Sequence, residues 1–360
     1  MSDTADWPWS APVAGAAVYR TSYVPKTLGE IKLNHNEAPD DLDADLKAEI
    51  LLRLGQLPWH RYADPDASRT CEALARHTGH LRAGIAVGHG ANELISRLMF
   101  AIAPATTVVL VDPDYYVHGR AALLAGHKLR RVALLRRDDK FILDIQGIIE
   151  AAGAGPALLI LSQPNNPTGS LFDAVAVDQL LDQFPGAVVL DEAYAEFSGV
   201  TRQAELATRP NLAILRTMSK AFALAGARIG YLLASPEFVT NINKLQPPYP
   251  VSEWQGVAAE VVLAHPERAA QRVEAVRVER QRLQAGLRAL GVETLDSYGN
   301  FVLAVLAQRR PAVLAALLQA ELAVRDVGDL PSAAGCLRLS VGAPAANDRL
   351  LAALQAGLGG

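Results

Sequence analysis

The stretch Arg216-Thr-Met-Ser-Lys220-Ala-Phe-Ala-Leu-Ala-Gly-Ala-Arg228-Ile-Gly-Tyr231 sets the reading of the whole chain. An apolar run, Ala213–Arg216, feeds two hydroxyls, a lysine, a small-residue stretch and an arginine; a second run, Ile229–Leu233, follows. Lysine forms a Schiff base with an aldehyde cofactor once burial or nearby cations lower its pKa. Thr217, Ser219 and Arg228 suit a phosphate group. An isolated lysine is usually a solvated surface residue, but apolar, small surroundings weaken that reading here. No Gly-x-x-x-x-Gly-Lys-Ser/Thr pattern is present, so the segment is not a P-loop.

Working outward, similar runs recur at Thr107–Val111, Ala157–Ser162 and Ala187–Leu190. Continuous β-branched and aliphatic runs suit strands buried on both faces of a mainly parallel sheet. Helical stretches such as Asn92–Ile102 and Val175–Gln183 lie between them. The expectation is an α/β fold, with a large domain over residues 60–245 whose mainly parallel central sheet is flanked by helices. After residue 246 the texture changes. Pro247, Pro248 and Pro250 form a stiff connector, Glu267–Leu290 reads as one long amphipathic helix, and short strands (Phe301–Leu306, Leu337–Val341) mix with helices. Residues 246–360 therefore predict a smaller α+β domain. Residues 31–59, with a helix over Asp41–Leu54, join it, and residues 1–30 form an irregular arm.

Composition narrows the function classes. Of 360 residues, 50% are hydrophobic and 20% charged, which is globular rather than disordered. The net charge of -4 speaks against a broad nucleic-acid surface. Two distant cysteines, Cys71 and Cys336, make neither a disulfide framework nor a paired zinc motif and fit a reducing compartment. Neither a signal-peptide pattern nor an apolar run of membrane-spanning length is present, so the expected location is the cytoplasm.

Three further segments carry chemistry. Ala187-Val-Val-Leu-Asp191-Glu-Ala-Tyr194 ends an apolar strand on an acid, where ligands of open α/β sheets sit. A buried carboxylate there needs a partner; a protonated pyridine nitrogen, as in pyridoxal phosphate (PLP) sites, is a fitting one. The plainer alternative is a helix N-cap. Ser162-Gln-Pro-Asn165-Asn166-Pro167-Thr168-Gly169 fixes the backbone and presents two amides, or is simply a turn. Val87-Gly88-His89-Gly90-Ala91-Asn92-Glu93 leads into a helix whose N–H groups can approach a phosphate. Glu93 stands where a dinucleotide fingerprint needs a third glycine, which disfavours a nicotinamide-linked oxidoreductase. Tyr115 follows the next strand and suits stacking on a flat ring.

Taken together, in this order and spacing, these segments resemble the fold-type I PLP-dependent aminotransferases over nearly the whole chain. The closest likeness is to the histidinol-phosphate aminotransferases. It rests on Leu33-Asn-His-Asn36-Glu37, Arg61-Tyr62, Asp191-Glu-Ala-Tyr194-Ala-Glu-Phe197, the Lys220 segment, Pro248-Tyr249-Pro250, Val324-Arg325-Asp326 and Gly335-Cys-Leu-Arg338-Leu-Ser-Val-Gly342. The resemblance implies that Lys220 bonds the cofactor and then moves the proton, with Asp191 and Tyr194 as its catalytic partners. Asp191 would pair with the pyridine N–H; Tyr194 and Asn166 would bond the ring's 3-oxygen; Tyr115 would stack. Ala91, Asn92, Ser219 and Arg228 would hold the phosphate, joined by Tyr62 from the neighbouring subunit of a homodimer with its active sites at the subunit interface. Arg338 would take the α-carboxylate, and Arg338, Arg325 and Tyr23 the substrate phosphate, with Asn36 and Tyr249 also at the substrate. The implied reaction is ping-pong transfer between L-histidinol phosphate and 2-oxoglutarate in histidine biosynthesis. Three positions depart from the pattern: Asn92 for a usual Asp, Ala38 for an aromatic, and His118 for a second tyrosine. The last two are expected near the substrate pocket.

Other features have plainer readings. His77-x-x-His80, near Cys71, is a helix-surface pair rather than a metal site. The arginines of Arg268–Arg288 alternate with glutamates as a solvated face, and Ala315–Leu322 is an apolar helix belonging to the core. The rival functions are an aromatic amino-acid aminotransferase, a PLP enzyme acting on another phosphorylated amino compound, and a PLP-binding regulator. The last is disfavoured because Lys220, Asp191, Tyr194 and Arg338 are all present.

Overall fold

The computed structural model describes residues 8–18, 31–138 and 140–359. Its strands, in chain order, are β1 (Ile31–Leu33), β2 (Ile85–His89), β3 (Thr107–Asp112), β4 (Lys128–Ala133), β5 (Leu135–Arg137), β6 (Lys140–Ile142), β7 (Ala157–Ser162), β8 (Ala187–Asp191), β9 (Leu212–Thr217), β10 (Ile229–Leu233), β11 (Glu293–Thr294), β12 (Phe301–Val305), β13 (Leu322–Asp326) and β14 (Cys336–Ser340). Seven of them form one sheet in the order β2-β10-β9-β8-β7-β3-β4. Strands β4, β3, β7, β8 and β9 pair in parallel, and β10 runs antiparallel to both its neighbours. Residues of β7 and β9 are buried throughout, as continuous apolar runs require when both faces of a sheet are covered. One apolar cluster lies on each side: Leu94, Leu98 and Leu110 on one, Val109, Leu159 and Leu190 on the other, because successive side chains of a strand alternate faces.

A second sheet has the order β1-β13-β14-β12-β11, with β1 parallel to β13 and the rest antiparallel. The long helix Pro266–Ala289 packs against β11, β12 and the helices Pro344–Leu358 and Ala195–Ser198. It buries Val276, Leu283 and Leu287 at helical spacing. Its arginines are not all on a solvated face. Arg277 and Arg282 pair with Glu274 and Glu279 outside, but Arg280 is buried against Gly299 O at 2.6 Å. Arg272 is half-buried, reaching Asp43 Oδ1 at 3.0 Å and Ala221 O at 3.3 Å.

Several expectations shift. The early helix is Ala44–Gly55, beginning after Asp43 rather than at residue 41. The helix expected at 315–322 is Arg310–Gln319; Leu322 already belongs to β13, and Leu318 is exposed. The arm is not wholly irregular, since Ala11–Ala14 is helical and Arg120 Nη1 donates to Ala17 O at 2.9 Å. Trp9 is exposed, and Trp7 and Tyr23 lie outside the described residues. His77 and His80 are not a surface pair. The helix Ser68–Thr78 ends before His80; His77 packs edge-on against Phe222, and His80 Nε2 lies 3.0 Å from Ala234 O. Among the described residues, no group of three or more His, Cys, Asp or Glu is placed to hold a metal ion, and no helix is long and apolar enough to cross a membrane.

Candidate active site

The carboxyl ends of β7, β8 and β9, the turn after β2 and the second sheet meet around a cavity of about 460 Å³. Lys220 lies on its wall, just past β9 in the loop to β10. Two residues of that loop, Ala223 (φ 54°) and Arg228 (φ 57°), adopt the left-handed conformation that side chains resist. Thr217 Oγ1 accepts the Ser219 N–H at 3.1 Å and lies 2.9 Å from Ser219 Oγ, which folds the chain sharply before the lysine. Lys220 Nζ donates to His35 O at 2.7 Å. Burial, then the Arg338 guanidinium, and Arg228 further off, push this amine down to about 7. Near neutral pH much of it is an unprotonated nucleophile and base.

On one side of the lysine is an anion cradle. The helix Ala91–Ala101 opens onto the cavity with Gly90 as its N-cap and no capping side chain. Its first N–H groups and its dipole favour a negative group. Arg228 and Ser219 complete the cradle, with Arg228 Nη1 3.5 Å from Ser219 Oγ. Two glycines make this approach possible. A Cβ on Gly90 (φ 79°) would lie 2.5 Å from the Arg228 guanidinium, and one on Gly230 would lie 2.2 Å from Ala91 N.

Between cradle and lysine lies a slot for a flat ring. Tyr115 lines it, with its hydroxyl 3.3 Å from Asn92 Oδ1; Tyr116 and His118 meet its ring only edge-on. Asp191 ends β8 at the bottom, 6% exposed, with Oδ1 accepting the Ala193 N–H at 3.0 Å. It is not a helix N-cap, since the next helix starts only at Ala195. Tyr194 OH receives two amide donors, Asn36 Nδ2 at 3.0 Å and Asn166 Nδ2 at 3.4 Å. A phenol that accepts twice keeps its own hydrogen to donate. Burial pushes its pKa up to about 12, so it stays a phenol. The neighbouring asparagines divide the work: Asn165 builds the turn, accepting from Thr168 N–H and Oγ1 and donating to Pro113 O, while Asn166 faces the cavity.

On the far side stand the two arginines. Arg325 of β13 and Arg338 of β14 are direct cross-strand partners, so both side chains share one face, and both line the cavity. Like charges directly opposite in a sheet are unfavourable. Arg338 Nη1 donates to Asn166 Oδ1 at 2.7 Å and Nη2 to Asn34 O at 2.6 Å, and its guanidinium lies 5.5 Å from the centre of the Phe301 ring.

The match to a protein-family model, aminotransferase class I and II, runs from residue 29 to 354. The chain belongs to that family. This aminotransferase is 38% identical over 336 residues to a histidinol-phosphate aminotransferase of Methylibium petroleiphilum, covering 91% of this chain and 89% of the relative. It is 36% identical to one of Xanthomonas campestris pv. campestris, covering 95% and 94%. The crystal structure of histidinol-phosphate aminotransferase from Sinorhizobium meliloti, in complex with pyridoxal-5'-phosphate, superposes with a TM-score of 0.86 at 27% identity, covering 99% of each chain.

Of the residues expected at the site, Asn36, Ala91, Asn92, Tyr115, Asn166, Asp191, Tyr194, Ser219, Lys220, Arg228, Arg325 and Arg338 surround this one cavity. Tyr62 and Tyr249 do not. They stack on each other at 4.4 Å in a second cavity of about 980 Å³, which meets the first at Gly226 and Arg228. Ala38 and His118 do not line the active-site cavity; Ala38 follows Glu37, which does, and His118 is fully buried behind Asp191. Sequence reasoning passed over His35, Glu37 and Asp114 as cavity residues. The only signal for the first two was their place in the Leu33–Glu37 stretch.

Proposed function

We propose that this chain transfers the amino group between L-histidinol phosphate and 2-oxoglutarate, giving imidazole-acetol phosphate and L-glutamate, with PLP as cofactor. The Arg325–Arg338 pair facing Lys220 across one cavity carries the reading. Such a pair suits substrates that bring a carboxylate or a phosphate, because guanidinium offers planar paired donors and stays charged.

The donor set fits PLP at three points: an anion cradle at a helix N-terminus, a slot beside Tyr115, and an enclosed carboxylate for a cationic ring nitrogen. When bound, the cofactor supplies an aldehyde that condenses with amines and a conjugated ring that draws electrons from the α-carbon. The chain's own residues do the rest. The Ala91 and Asn92 N–H groups, Ser219 and Arg228 hold the phosphate. Asp191 accepts the ring N–H, and Tyr194, backed by Asn36 and Asn166, donates to the ring oxygen. Lys220, released as a neutral amine, takes the proton from the α-carbon and returns it to the carbon on the other side of the amino nitrogen. Arg338 turns from Asn34 O and Asn166 to the substrate carboxylate, and Arg325 completes the phosphate site.

The active form is proposed to be a cytoplasmic homodimer. Trp59, Tyr62 and Trp254 are exposed around the second cavity, beside Arg228. A second copy covering this apolar rim would leave Tyr62 near its partner's phosphate cradle. Residues 60–245 are proposed as the cofactor domain, and 31–59 with 246–360 as the smaller one, following the arm of 1–30. In support, all strands of the large sheet fall between residues 85 and 233.

The test is a half-reaction followed by absorbance. PLP-loaded protein is mixed separately with L-histidinol phosphate, L-glutamate and L-phenylalanine, and conversion to the pyridoxamine form is timed. Fast conversion with the first two and slow with the third is expected. Fast conversion with phenylalanine and little with histidinol phosphate would move the chain to the aromatic aminotransferases.

A further inference from the structure

The turn that leads into the phosphate cradle is closed by a side chain that the scheme above does not use. In Gly88-His89-Gly90-Ala91-Asn92-Glu93, the last residue is the third of the helix Ala91–Ala101 and the acid of its first turn. Its Oε2 reaches back to accept the His89 N–H at 2.5 Å. A glutamate at this helix position commonly accepts the N-cap N–H instead. Here the N-cap is Gly90, whose N–H already goes to Gly88 O at 2.8 Å, and the Glu93 N–H goes to Gly90 O at 3.2 Å. The turn thus spends the N–H groups of His89, Gly90 and Glu93 on itself. Those of Ala91 and Asn92 belong to the first helical positions, which a helix cannot satisfy internally, and are left for a ligand.

Glu93 is itself held. Arg97, one helical turn further on and only 5% exposed, forms an ion pair with it, Nε lying 2.9 Å from Glu93 Oε1. Arg97 Nη2 donates to Val87 O of β2, and Nη1 to Gln246 Oε1 at 3.4 Å. One guanidinium therefore ties the helix and β2 to the segment that follows the helix Pro236–Asn243. Burial works against charge on Arg97, and Glu93 offsets it. Gly88 leaves room for the pair, since a Cβ there would lie 2.8 Å from Arg97 Nη2 and 3.2 Å from Glu93 Oε2. An acid beside an anion site would oppose the anion, but the charge of this one is balanced by Arg97.

We propose that Glu93 is a positioning residue for the cofactor phosphate: clamped by Arg97, it fixes the Gly88–Gly90 turn and with it the Ala91 and Asn92 N–H groups that meet the phosphate. The second half of this rests on the cofactor reading above; the clamp on the turn does not.

The first measurement is hydrogen exchange, by mass spectrometry, of peptides covering residues 86–94 in the cofactor-free chain. Glu93→Ala removes the tie, and Glu93→Gln keeps an amide oxygen able to accept the same N–H. Exchange in this segment should quicken about tenfold in Glu93→Ala and stay within about threefold of wild type in Glu93→Gln. Unchanged exchange in Glu93→Ala, or equal acceleration in both variants, would overturn the clamp. Arg97→Lys takes the place of Glu93→Ala, with the same expectation, if that variant does not fold: it keeps the charge and loses the planar fork that reaches Glu93 and Val87 O together.

The second measurement compares the affinities of PLP and pyridoxal, which has the same ring and aldehyde and no phosphate. Wild type should prefer PLP. Glu93→Ala should lose about tenfold of that preference while binding pyridoxal within about threefold of wild type, and Glu93→Gln should keep the preference. An equal loss for both ligands would mean that Glu93 only supports the fold, and would overturn the positioning role, as would an undiminished preference in Glu93→Ala. Wild type binding both ligands alike would overturn the cradle as a phosphate site, and the exchange result would stand apart from that failure.

Discussion

Replacing Lys220 by methionine should make the cofactor-free protein more stable at pH 6. Methionine keeps an unbranched chain of similar length and removes the amine. In the folded protein that amine is pushed from an ordinary 10.5 down to about 7, first by burial and then by Arg338. Because the folded value lies below the unfolded one, the unfolded chain binds more protons between those two values, and stability rises with pH across that window. Below about pH 7 the penalty is fully present; near pH 10.5 it is gone. At about 1.4 kcal/mol per pH unit the ceiling is about 5 kcal/mol. Water in the open cavity and the lost hydrogen bond to His35 O reduce it to about 2 kcal/mol. For a chain of this length that corresponds to roughly 3 °C in melting temperature. The assay is thermal unfolding of the cofactor-free wild type and Lys220→Met at pH 6, 8 and 10, scored as the difference between them so that shared titrations cancel. The expected gap favours the variant at pH 6 and closes by pH 10. A variant equal to or weaker than wild type at pH 6 would refute the account of Lys220 as a destabilised, partly neutral amine.

The same low proton affinity has a kinetic face. Capture of PLP by the cofactor-free protein should accelerate through about pH 6–8 and then level off, as read by stopped-flow absorbance; a rise only above about pH 9 would contradict it. Arg325→Ala should raise the KM for histidinol phosphate by about 10- to 100-fold, since it removes a charge-assisted contact; an unchanged KM would place the substrate phosphate elsewhere. Gly230→Ala drives a methyl group into the backbone of Gly90 and Ala91. Equilibrium dialysis should show PLP affinity reduced at least about tenfold, and an affinity like wild type would mean that the cradle has slack.

How far the sequence could be read depended on where each residue spends its free energy. Strands β7 and β10 stand in the sequence to the residue, because both are wholly buried apolar runs. Strand β4 (Lys-Leu-Arg-Arg-Val-Ala) escaped notice. It is a sheet edge whose exposed positions, Ala133 apart, are basic, so no apolar run marks it. Strand β2 was read only as the lead-in to a helix. The groups at the cavity wall were legible from their own segments at Lys220 and Asp191, and through the family likeness at the two arginines. His118 was misread because its significance comes from a strand more than 70 residues away. No local pattern records which carboxylate an imidazole will meet. Tyr62 and Tyr249 were legible only through the family likeness, and within one chain they sit apart from the lysine.

The facing of Arg325 and Arg338 across β13 and β14 has a consequence for how this enzyme can change its substrate. The pairing of the two residues' backbones is set by a ladder inside a sheet, not by a loop. The sheet is thus a measuring device of fixed length. Mutations around the rim can alter what lies beside the two arginines, and loops can drift, while the pairing of their backbones stays the same. To slide it by even one residue would turn every side chain of β13 over and take Arg325 off the face it shares with Arg338. Substrate tails of a different reach are therefore more easily accepted by replacing one arginine than by moving it, and divergence at this site should proceed by exchange of charge rather than by change of spacing.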